Sequence, residues 1–426
     1  MTPLPEKYEE KYEGRFIVYD ALLSYLKGES FERNPIVNLS ISRYLSTVYV
    51  IEKLSGTPLK KLKKPVFASL LGALSELLFS EEPKVHAICD SAVDYVKKKG
   101  LAGLSGFVNA VTRRAAREKE LLIKEINESA DPTIRLSLPD IIYSSLEKDY
   151  GVEKADSIAT AFFKRRYTHL FIPGLLEDDK KTIDSLSKKG FVLKKDDSPL
   201  SGYYLERSLE GRSIIASEEF EKGLIYLQDR SSMAPAEAFF DIKDNLPKKP
   251  DILDLCAAPG GKSINFAALT HDAANITSCD VSEEKTALIR ENIRRLHINS
   301  IRAAINDASQ LSPDFLDRFD IVICDVPCSG FGVIGRKPDI RYRHDEESLN
   351  SITSLQEKII KNAVSYVKDN GFLIFSTCTL RKTENEDMAD LLKECEMTEL
   401  SRKTLFPDED DQDGFFTAVF QKGVSS

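Results

Sequence analysis

From about residue 226 onward, short and nearly continuous apolar runs alternate with amphipathic stretches. The apolar runs cover residues 252–255, 276–280, 301–305, 320–324 and 372–376. Runs of this length are typical of strands that are buried on both faces of a parallel sheet. Helical spacing of apolar residues follows at 262–269, 283–296, 348–367 and 384–393, and two closing strands are predicted, one of them at 415–421. The alternation predicts a doubly wound, Rossmann-like α/β domain.

The N-terminal third of the chain has the apolar spacing of helices. This spacing is clear at 66–78 and 85–96, and after a glycine-containing turn another helix is predicted from Phe107 through Arg117. The segment 136–225 is mixed, with helices predicted after Pro139 and at 155–166 and strands at 191–193 and 213–216. We therefore predict three domains: an all-α domain at 1–135, a small α+β connecting segment at 136–225, and the α/β domain at 226–426.

Composition excludes several classes of protein. Apolar residues make up 42% and charged residues 30% of the chain, as in globular proteins, and no apolar run approaches the length of a membrane span. The first residues are charged and lack the apolar core of a secretion signal. The seven cysteines form no compact disulfide framework, and their spacing is not that of a zinc site. We expect a cytoplasmic protein, monomeric and without a metal, although its net charge of −9 does not exclude local contact with nucleic acid.

The turn between the first strand and the first helix of the α/β domain is a candidate cofactor site. Glycine backbones can approach a ligand closely, and a helix N-terminus attracts anions. A phosphate loop would need a glycine where Cys256 stands, and the dinucleotide pattern G-x-G-x-x-G is absent. S-adenosylmethionine remains, with its carboxylate on the helix N-terminus. The turn consists of Cys256, Ala257, Ala258, Pro259, Gly260, Gly261 and Lys262.

Two acidic residues follow the next two strands of the predicted sheet. Asp280 ends the second strand, where a carboxylate can bind ribose hydroxyls, and Asp307 ends the third, where it could accept a hydrogen bond from the adenine amino group. The alternative is that both residues only cap helices or lie in solvated loops.

Two cysteines follow later strands, so both can face the same crevice at the carboxyl edge of the sheet. They are Cys328, after the strand 320–324, and Cys378, after the strand 372–376. Methylation of carbon 5 of a pyrimidine needs a thiolate, which adds to carbon 6 and makes carbon 5 nucleophilic. Asp325 could hold the amino group and ring nitrogen of a cytosine that is flipped out or unpaired. The alternative for any cysteine is a small buried apolar residue, and we favour it for Cys256, Cys279 and Cys324.

Taken together, these segments resemble the RNA cytosine-5 methyltransferase family. The resemblance lies in the motifs at 253–262, 325–330, 336–341 and 376–379 and covers residues 226–422. It implies that Cys378 is the nucleophile, that Cys328 assists product release, that Asp325 contacts the target base and the cofactor region, and that Lys262 faces the site of methyl transfer. It also implies that the turn 256–262, Asp280 and Asp307 bind S-adenosylmethionine. Asn306 stands where the family usually has glycine.

The N-terminal domain is similar to a NusB-like RNA-binding domain, mainly through residues 106–114. A basic and aromatic loop lies shortly after Cys328 and could clamp phosphates and stack on a base, unless it is only a solvated surface loop. The expected RNA contacts are Arg336, Lys337, Arg341, Tyr342 and Arg343 in this loop, with Arg113 and Arg114 on an N-terminal helix. The leading hypothesis is methylation of a cytosine in small-subunit ribosomal RNA; the alternatives are a transfer-RNA cytosine-5 methyltransferase and a non-catalytic ribosome assembly factor.

Overall fold

The structure is a computed structural model that describes residues 7–164, 167–197, 199–200, 202–409 and 412–424. Its contacts divide the chain into two units. One unit comprises Met1–Phe163 and the short segment Lys337–Arg343, and the other comprises Lys164–Arg336 and His344–Ser426. The boundary predicted at residue 135 thus lies at 163. The helices after residue 135 belong to the first unit. Asp156 joins them to the earlier ones, since it accepts hydrogen bonds from Arg135 at 2.7 Å and from Tyr143 at 2.8 Å.

The first unit is all-α, as predicted. Its central helix, α4 (Lys64–Phe79), is buried along most of its length and corresponds to the helix predicted at 66–78. The helix predicted at 85–96 corresponds to α5 (Val85–Lys98). The predicted helix at 155–166 begins earlier and ends at Ala161, and residues 165–166 lie outside the described ranges. The helices are α1 (Lys7–Lys27), α2 (Pro35–Ser42), α3 (Tyr44–Ser55), α4 (Lys64–Phe79), α5 (Val85–Lys98), α6 (Ser105–Arg117), α7 (Lys119–Asn127), α8 (Pro132–Arg135), α9 (Asp140–Tyr150) and α10 (Val152–Ala161).

The second unit opens with a small antiparallel sheet. Its strands are β1 (Thr168–Phe171), β2 (Phe191–Lys195), β3 (Gly202–Ser208) and β4 (Tyr226–Leu227), in the order β2-β3-β1-β4, with helices α11 (Asp179–Lys188) and α12 (Glu218–Glu221). The strand predicted at 213–216 is wrong. Ile214–Ala216 is a 3₁₀ turn, because Ser217 directly after it caps α12 by accepting from the Phe220 backbone at 3.2 Å, which leaves no room for an extended run.

The large sheet of the second unit has seven strands in the order β10-β11-β9-β8-β5-β6-β7. The five strands β5 to β9 are parallel, and β11 and β10 close the edge in antiparallel orientation. The elements are α13 (Ala234–Glu237), α14 (Phe239–Ile242), β5 (Asp251–Asp254), α15 (Gly261–Leu269), β6 (Asn275–Asp280), α16 (Glu283–Arg295), β7 (Ile301–Ile305), β8 (Phe319–Asp325), α17 (Glu346–Tyr366), β9 (Val367–Thr377), α18 (Glu386–Glu394), β10 (Met397–Leu405) and β11 (Phe415–Lys422).

Successive strand residues of this sheet enter opposite cores, as the apolar runs predict. Ile252 packs on the face of the sheet that α13 to α15 cover, whereas its neighbour Leu253 packs on the opposite face, against α17 and α18. Both faces are therefore covered, and the ligand-accessible part of a sheet of this kind is the carboxyl edge of its parallel strands. None of the described helices has the length and apolarity that crossing a lipid bilayer requires.

Candidate active site

The structure brings the two predicted thiols together at the carboxyl edge of the large sheet. Cys328 follows β8 and Cys378 follows β9, and these strands pair in parallel up to Asp325 and Ser376. The two sulfur atoms lie 3.2 Å apart, within hydrogen-bonding distance. Both residues are half-buried, so the pair is reached from the surface and is not sealed in the core. Cys279 and Cys324 are fully buried, as predicted, whereas Cys256 in the cofactor turn is half-buried; burial raises the pKa of each of these three thiols.

A lysine and an aspartate stand beside the thiols. The ammonium of Lys262 forms an ion pair with the Asp325 carboxylate, whose other oxygen accepts a hydrogen bond from the Ser376 hydroxyl at 2.8 Å. Burial pushes the pKa of Lys262 down, but the charges of Asp325 and Asp254 outweigh it and hold this pKa above its ordinary value. Lys262 therefore carries a positive charge next to the thiol pair, in a site with little water to screen it.

The thiol of Cys328 shares a hydrogen bond with that of Cys378, in which either sulfur can be the donor. Its hydrogen bond to Cys378 and its burial raise the pKa of the Cys328 thiol well above the ordinary value. The raised pKa keeps the Cys328 thiol protonated at neutral pH. The positive charge of Lys262 acts on Cys378, and a cation beside a thiol favours the thiolate.

The predicted cofactor turn joins β5 to α15. Gly260 has a φ of 107°, which favours glycine, and no side chain of the described ranges caps the first turn of α15. A Cβ on Gly261 would lie 3.1 Å from the Gln228 side-chain nitrogen. Gln228 is in turn fixed by a reciprocal pair of hydrogen bonds with Asn265, at 2.8 and 2.9 Å. This amide pair holds the start of α15. It was not predicted from the sequence, because a glutamine and an asparagine 37 positions apart form no local motif.

The two predicted acids differ in their surroundings. Asp280 is 4% exposed and accepts hydrogen bonds from the backbone of Ala258 at 3.0 Å and of Val281 at 2.8 Å, with Lys285 at 3.1 Å. Asp307 is exposed, and its carboxylate accepts from the backbone and hydroxyl of Ser309, the loop-acid arrangement that was the alternative in the sequence analysis. Asp280 thus ties the second strand to the cofactor turn, whereas Asp307 holds its own loop.

Several features of this edge fit S-adenosylmethionine. The uncapped α15 terminus can accept a carboxylate, and one oxygen of the fully buried Asp254 has no hydrogen-bond partner in the part of the chain that the structure describes. Burial raises the pKa of Asp254 to about 7, so a cation beside it would be favourable. Val281 and Ile305, 54% and 55% exposed at the ends of β6 and β7, offer apolar surface for a purine ring. The sequence analysis did not single out these two, although each is an apolar residue beside a polar one at a strand end.

The structure corrects part of the predicted RNA contact. The guanidinium of Arg336 is already engaged, in ion pairs with Asp229 and with Asp413, the latter at 2.6 Å. Arg341 is 1% exposed and lies over the rings of Phe162 and Phe163 in the helical unit, so it cannot reach a phosphate.

The remaining predicted RNA contacts differ in how accessible they are. The ring of Tyr342 packs at a tilt against that of Tyr44, with centroids 5.2 Å apart, which makes it a packing residue. Lys337 is exposed, Arg343 is exposed but paired with Asp339, and both stay predictions. Arg113 pairs with Asp90 and Arg114 with Glu118, yet each keeps more than a third of its side chain exposed, and they stay predictions as well.

Comparison with known proteins gives matches to both units. Residues 243–421 match the family model described as 16S rRNA methyltransferase RsmB/F, and residues 34–117 match the NusB family model. The chain is 31% identical over 345 residues to the probable ribosomal RNA small subunit methyltransferase B of Bacillus subtilis, an alignment that covers 80% of this chain and 74% of that protein.

Two further matches extend over more of the chain. The corresponding probable methyltransferase B of Synechocystis is 28% identical over 397 residues, which is 88% of this chain and 86% of that one. The crystal structure of PH0851 superimposes with a TM-score of 0.77 and 19% identity, covering 99% of this chain and all of that one, which shows a shared fold.

Proposed function

The chain belongs to the RsmB/F family of 16S rRNA methyltransferases, and on that premise we propose that it methylates carbon 5 of a cytosine in small-subunit ribosomal RNA through a covalent cysteine adduct. When bound, S-adenosylmethionine supplies an activated methyl group attached to a positively charged sulfur. The turn 256–262, Asp254 and Asp280 would hold it. The observation that carries the proposal is the pair of sulfur atoms 3.2 Å apart at the open edge of the sheet.

Carbon 5 of cytosine is a poor nucleophile, so the first task of the site is to activate it. The Cys378 thiolate adds to carbon 6 and forms a C–S bond, and the electron pair of the former double bond becomes available at carbon 5. Carbon 5 then takes the methyl group. We expect the Asp325 carboxylate, which is fixed by Ser376 and Lys262, to accept a hydrogen bond from the amino group of the base.

Release requires that carbon 5 lose its proton. The pair of electrons then re-forms the ring double bond and expels Cys378 as a thiolate. Cys328, whose sulfur lies 3.2 Å from that of Cys378, gives its own proton to solvent and then accepts the one on carbon 5. Each turnover exchanges one hydrogen of the base for one methyl group and frees one proton.

Bisulfite sequencing of ribosomal and transfer RNA, with and without the protein, tests this function. We expect one cytosine of small-subunit ribosomal RNA to become protected from conversion only when the protein and S-adenosylmethionine are both present. Protection confined to transfer RNA would change the substrate. No protected cytosine in either RNA would favour an assembly factor without catalysis.

Replacing Asp280 with alanine tests the cofactor site. Its carboxylate is the one acid here that links β6 to the cofactor turn, through Ala258. Loss of charge-assisted hydrogen bonds should weaken S-adenosylmethionine binding by about 10- to 100-fold, measured by titration calorimetry. Asp307→Ala is the matched control and should have a smaller effect, since Asp307 bonds within its own loop. Equal affinities of Asp280→Ala and the unmodified protein would count against the ribose role.

A further inference from the structure

Two adjacent residues connect the loops that carry the two thiols. Glu384 and Asn385 lie directly before α18, and both are completely buried. Neither was a candidate in the sequence analysis. A carboxylate and an amide buried to this extent need a full set of hydrogen-bond partners. Directly or through one further side chain, they bond to the residues on either side of Cys328 and of Cys378.

Glu384 holds the loop of Cys328. Its carboxylate accepts a hydrogen bond from the backbone nitrogen of Ser329, the residue after Cys328, at 2.8 Å. It also accepts from the side-chain nitrogen of Gln356 at 3.3 Å, and that nitrogen donates to the backbone oxygen of Pro327, the residue before Cys328, at 2.8 Å. Arg381 balances the charge from 2.9 Å. The peptide groups on both sides of Cys328 are therefore fixed by one buried pair of side chains.

Asn385 holds the loop of Cys378 in the same way. Its side-chain oxygen accepts a hydrogen bond from the Thr377 hydroxyl at 2.5 Å, and its side-chain nitrogen donates to the backbone oxygen of Thr379 at 3.1 Å. Asparagine at the start of a helix commonly caps it, but the Asn385 side chain makes no capping bond to α18. Its polar atoms serve the residues before and after Cys378 instead.

We propose that Glu384 and Asn385 are paired positioning residues, of which Glu384 sets the place of the Cys328 thiol and Asn385 that of the Cys378 thiol. The inference rests on the proposed function, because it assigns the two residues to different steps of that reaction. A short rigid connection between neighbouring residues keeps the sulfur atoms at a fixed separation. Misplacement of a reacting group by about 1 Å can cost about 100-fold in rate, so such support acts on catalysis without touching the substrate.

The proposal predicts that disturbing the two residues has opposite consequences for the covalent adduct. In Glu384→Gln, Cys378 still attacks and carbon 5 is still methylated, but Cys328 is misplaced for release. In Asn385→Asp, the attacking thiolate itself is misplaced. Each exchange replaces one side-chain atom without changing size. The same exchanges at exposed positions, Glu394→Gln and Asn245→Asp, are the matched controls.

The experiment compares methyl transfer with enzyme in excess, methyl transfer over many turnovers, and the amount of denaturation-resistant protein–RNA adduct. For Glu384→Gln we expect the multiple-turnover rate to fall about tenfold or more, the single-turnover rate to change less than about threefold, and adduct to accumulate. For Asn385→Asp we expect both rates to fall about tenfold or more without adduct. Loss of both rates in parallel in both variants, or unchanged rates, would overturn the proposal, because a residue needed only for stability cannot produce the split.

Cofactor binding by calorimetry shows whether each variant is folded. Should either fail to bind S-adenosylmethionine, Gln356→Met and Thr377→Val remove the partner side chains instead and must give the same split. Unmodified protein is also incubated with RNA containing 5-fluorocytidine, whose fluorine cannot be removed as a proton is, so that the adduct persists. If the unmodified protein neither methylates nor is trapped, the proposed function fails. If it does both while the variants show no split, only the positioning roles fail.

Discussion

Cys378→Ala should abolish methyl transfer while leaving S-adenosylmethionine binding unchanged. Without the sulfur of Cys378, the nucleophile assigned to carbon 6 is absent, and carbon 5 remains too weak a nucleophile to take a methyl group. Loss of a covalent nucleophile costs about 10⁴-fold or more in rate. The cofactor turn is built from other residues, with Asp280 bonded to Ala258, so the affinity should stay the same by calorimetry.

A control separates the role of this thiol from a general effect of losing a cysteine. Cys395, the half-buried cysteine that follows α18, can be replaced by alanine in the same way. Cys395→Ala should retain methyl transfer within about threefold, as substitutions away from special sites usually do. Residual activity of Cys378→Ala near that of Cys395→Ala would remove Cys378 from the mechanism.

Cys328→Ala should trap the protein on its RNA. The variant retains Cys378, so the adduct forms and carbon 5 is methylated, but the proton on carbon 5 has no thiolate to receive it. Turnover should stop after roughly one round per enzyme molecule, with an adduct that survives denaturation. The measurement is a denaturing gel with labelled RNA, followed by ribonuclease digestion to show that the shifted band contains RNA.

The same gel distinguishes the two thiols. Adduct with Cys378→Ala and none with Cys328→Ala would show that the two roles are reversed. The double variant should form no adduct, since the nucleophile is absent. Because the two sulfur atoms are only 3.2 Å apart, proximity alone cannot assign these roles, and the assignment depends on which thiol keeps the proton.

Much of the fold could be predicted from the sequence. The parallel strands β5 to β9 and the helices between them follow from apolar runs that the sheet buries on both faces. A second closing strand was predicted, but the position of β10 was not, because most of its residues, Glu399 and Leu400 among them, are half-buried or exposed and resemble neither a buried strand nor a helix. The small sheet was also predicted poorly, since β4 has only two residues and β3 pairs with both of the strands that precede it in the chain, β1 and β2.

The residues that come together at the candidate site could be predicted, but the residues that support them could not. Cys328, Cys378, Asp325 and Lys262 stand in compact motifs at strand ends, where topology alone makes them neighbours. Glu384 contacts Ser329, 55 residues earlier in the chain, and Gln356, 28 residues earlier. No local sequence pattern predicts contacts of this range. The same reason explains the error at Arg336, whose partner Asp413 lies 77 residues away. A basic loop predicts phosphate contact only if no carboxylate folds against it.

Peptide mapping of the trapped adduct shows directly whether Cys378 is the nucleophile. The unmodified protein is incubated with S-adenosylmethionine and small-subunit ribosomal RNA containing 5-fluorocytidine, the complex is digested with protease and ribonuclease, and the modified peptide is sequenced by mass spectrometry. We expect a methylated fluorocytidine bonded to the sulfur of Cys378. A nucleotide attached to Cys328, or methylated RNA with no attached peptide under conditions where the protein is active, would contradict it.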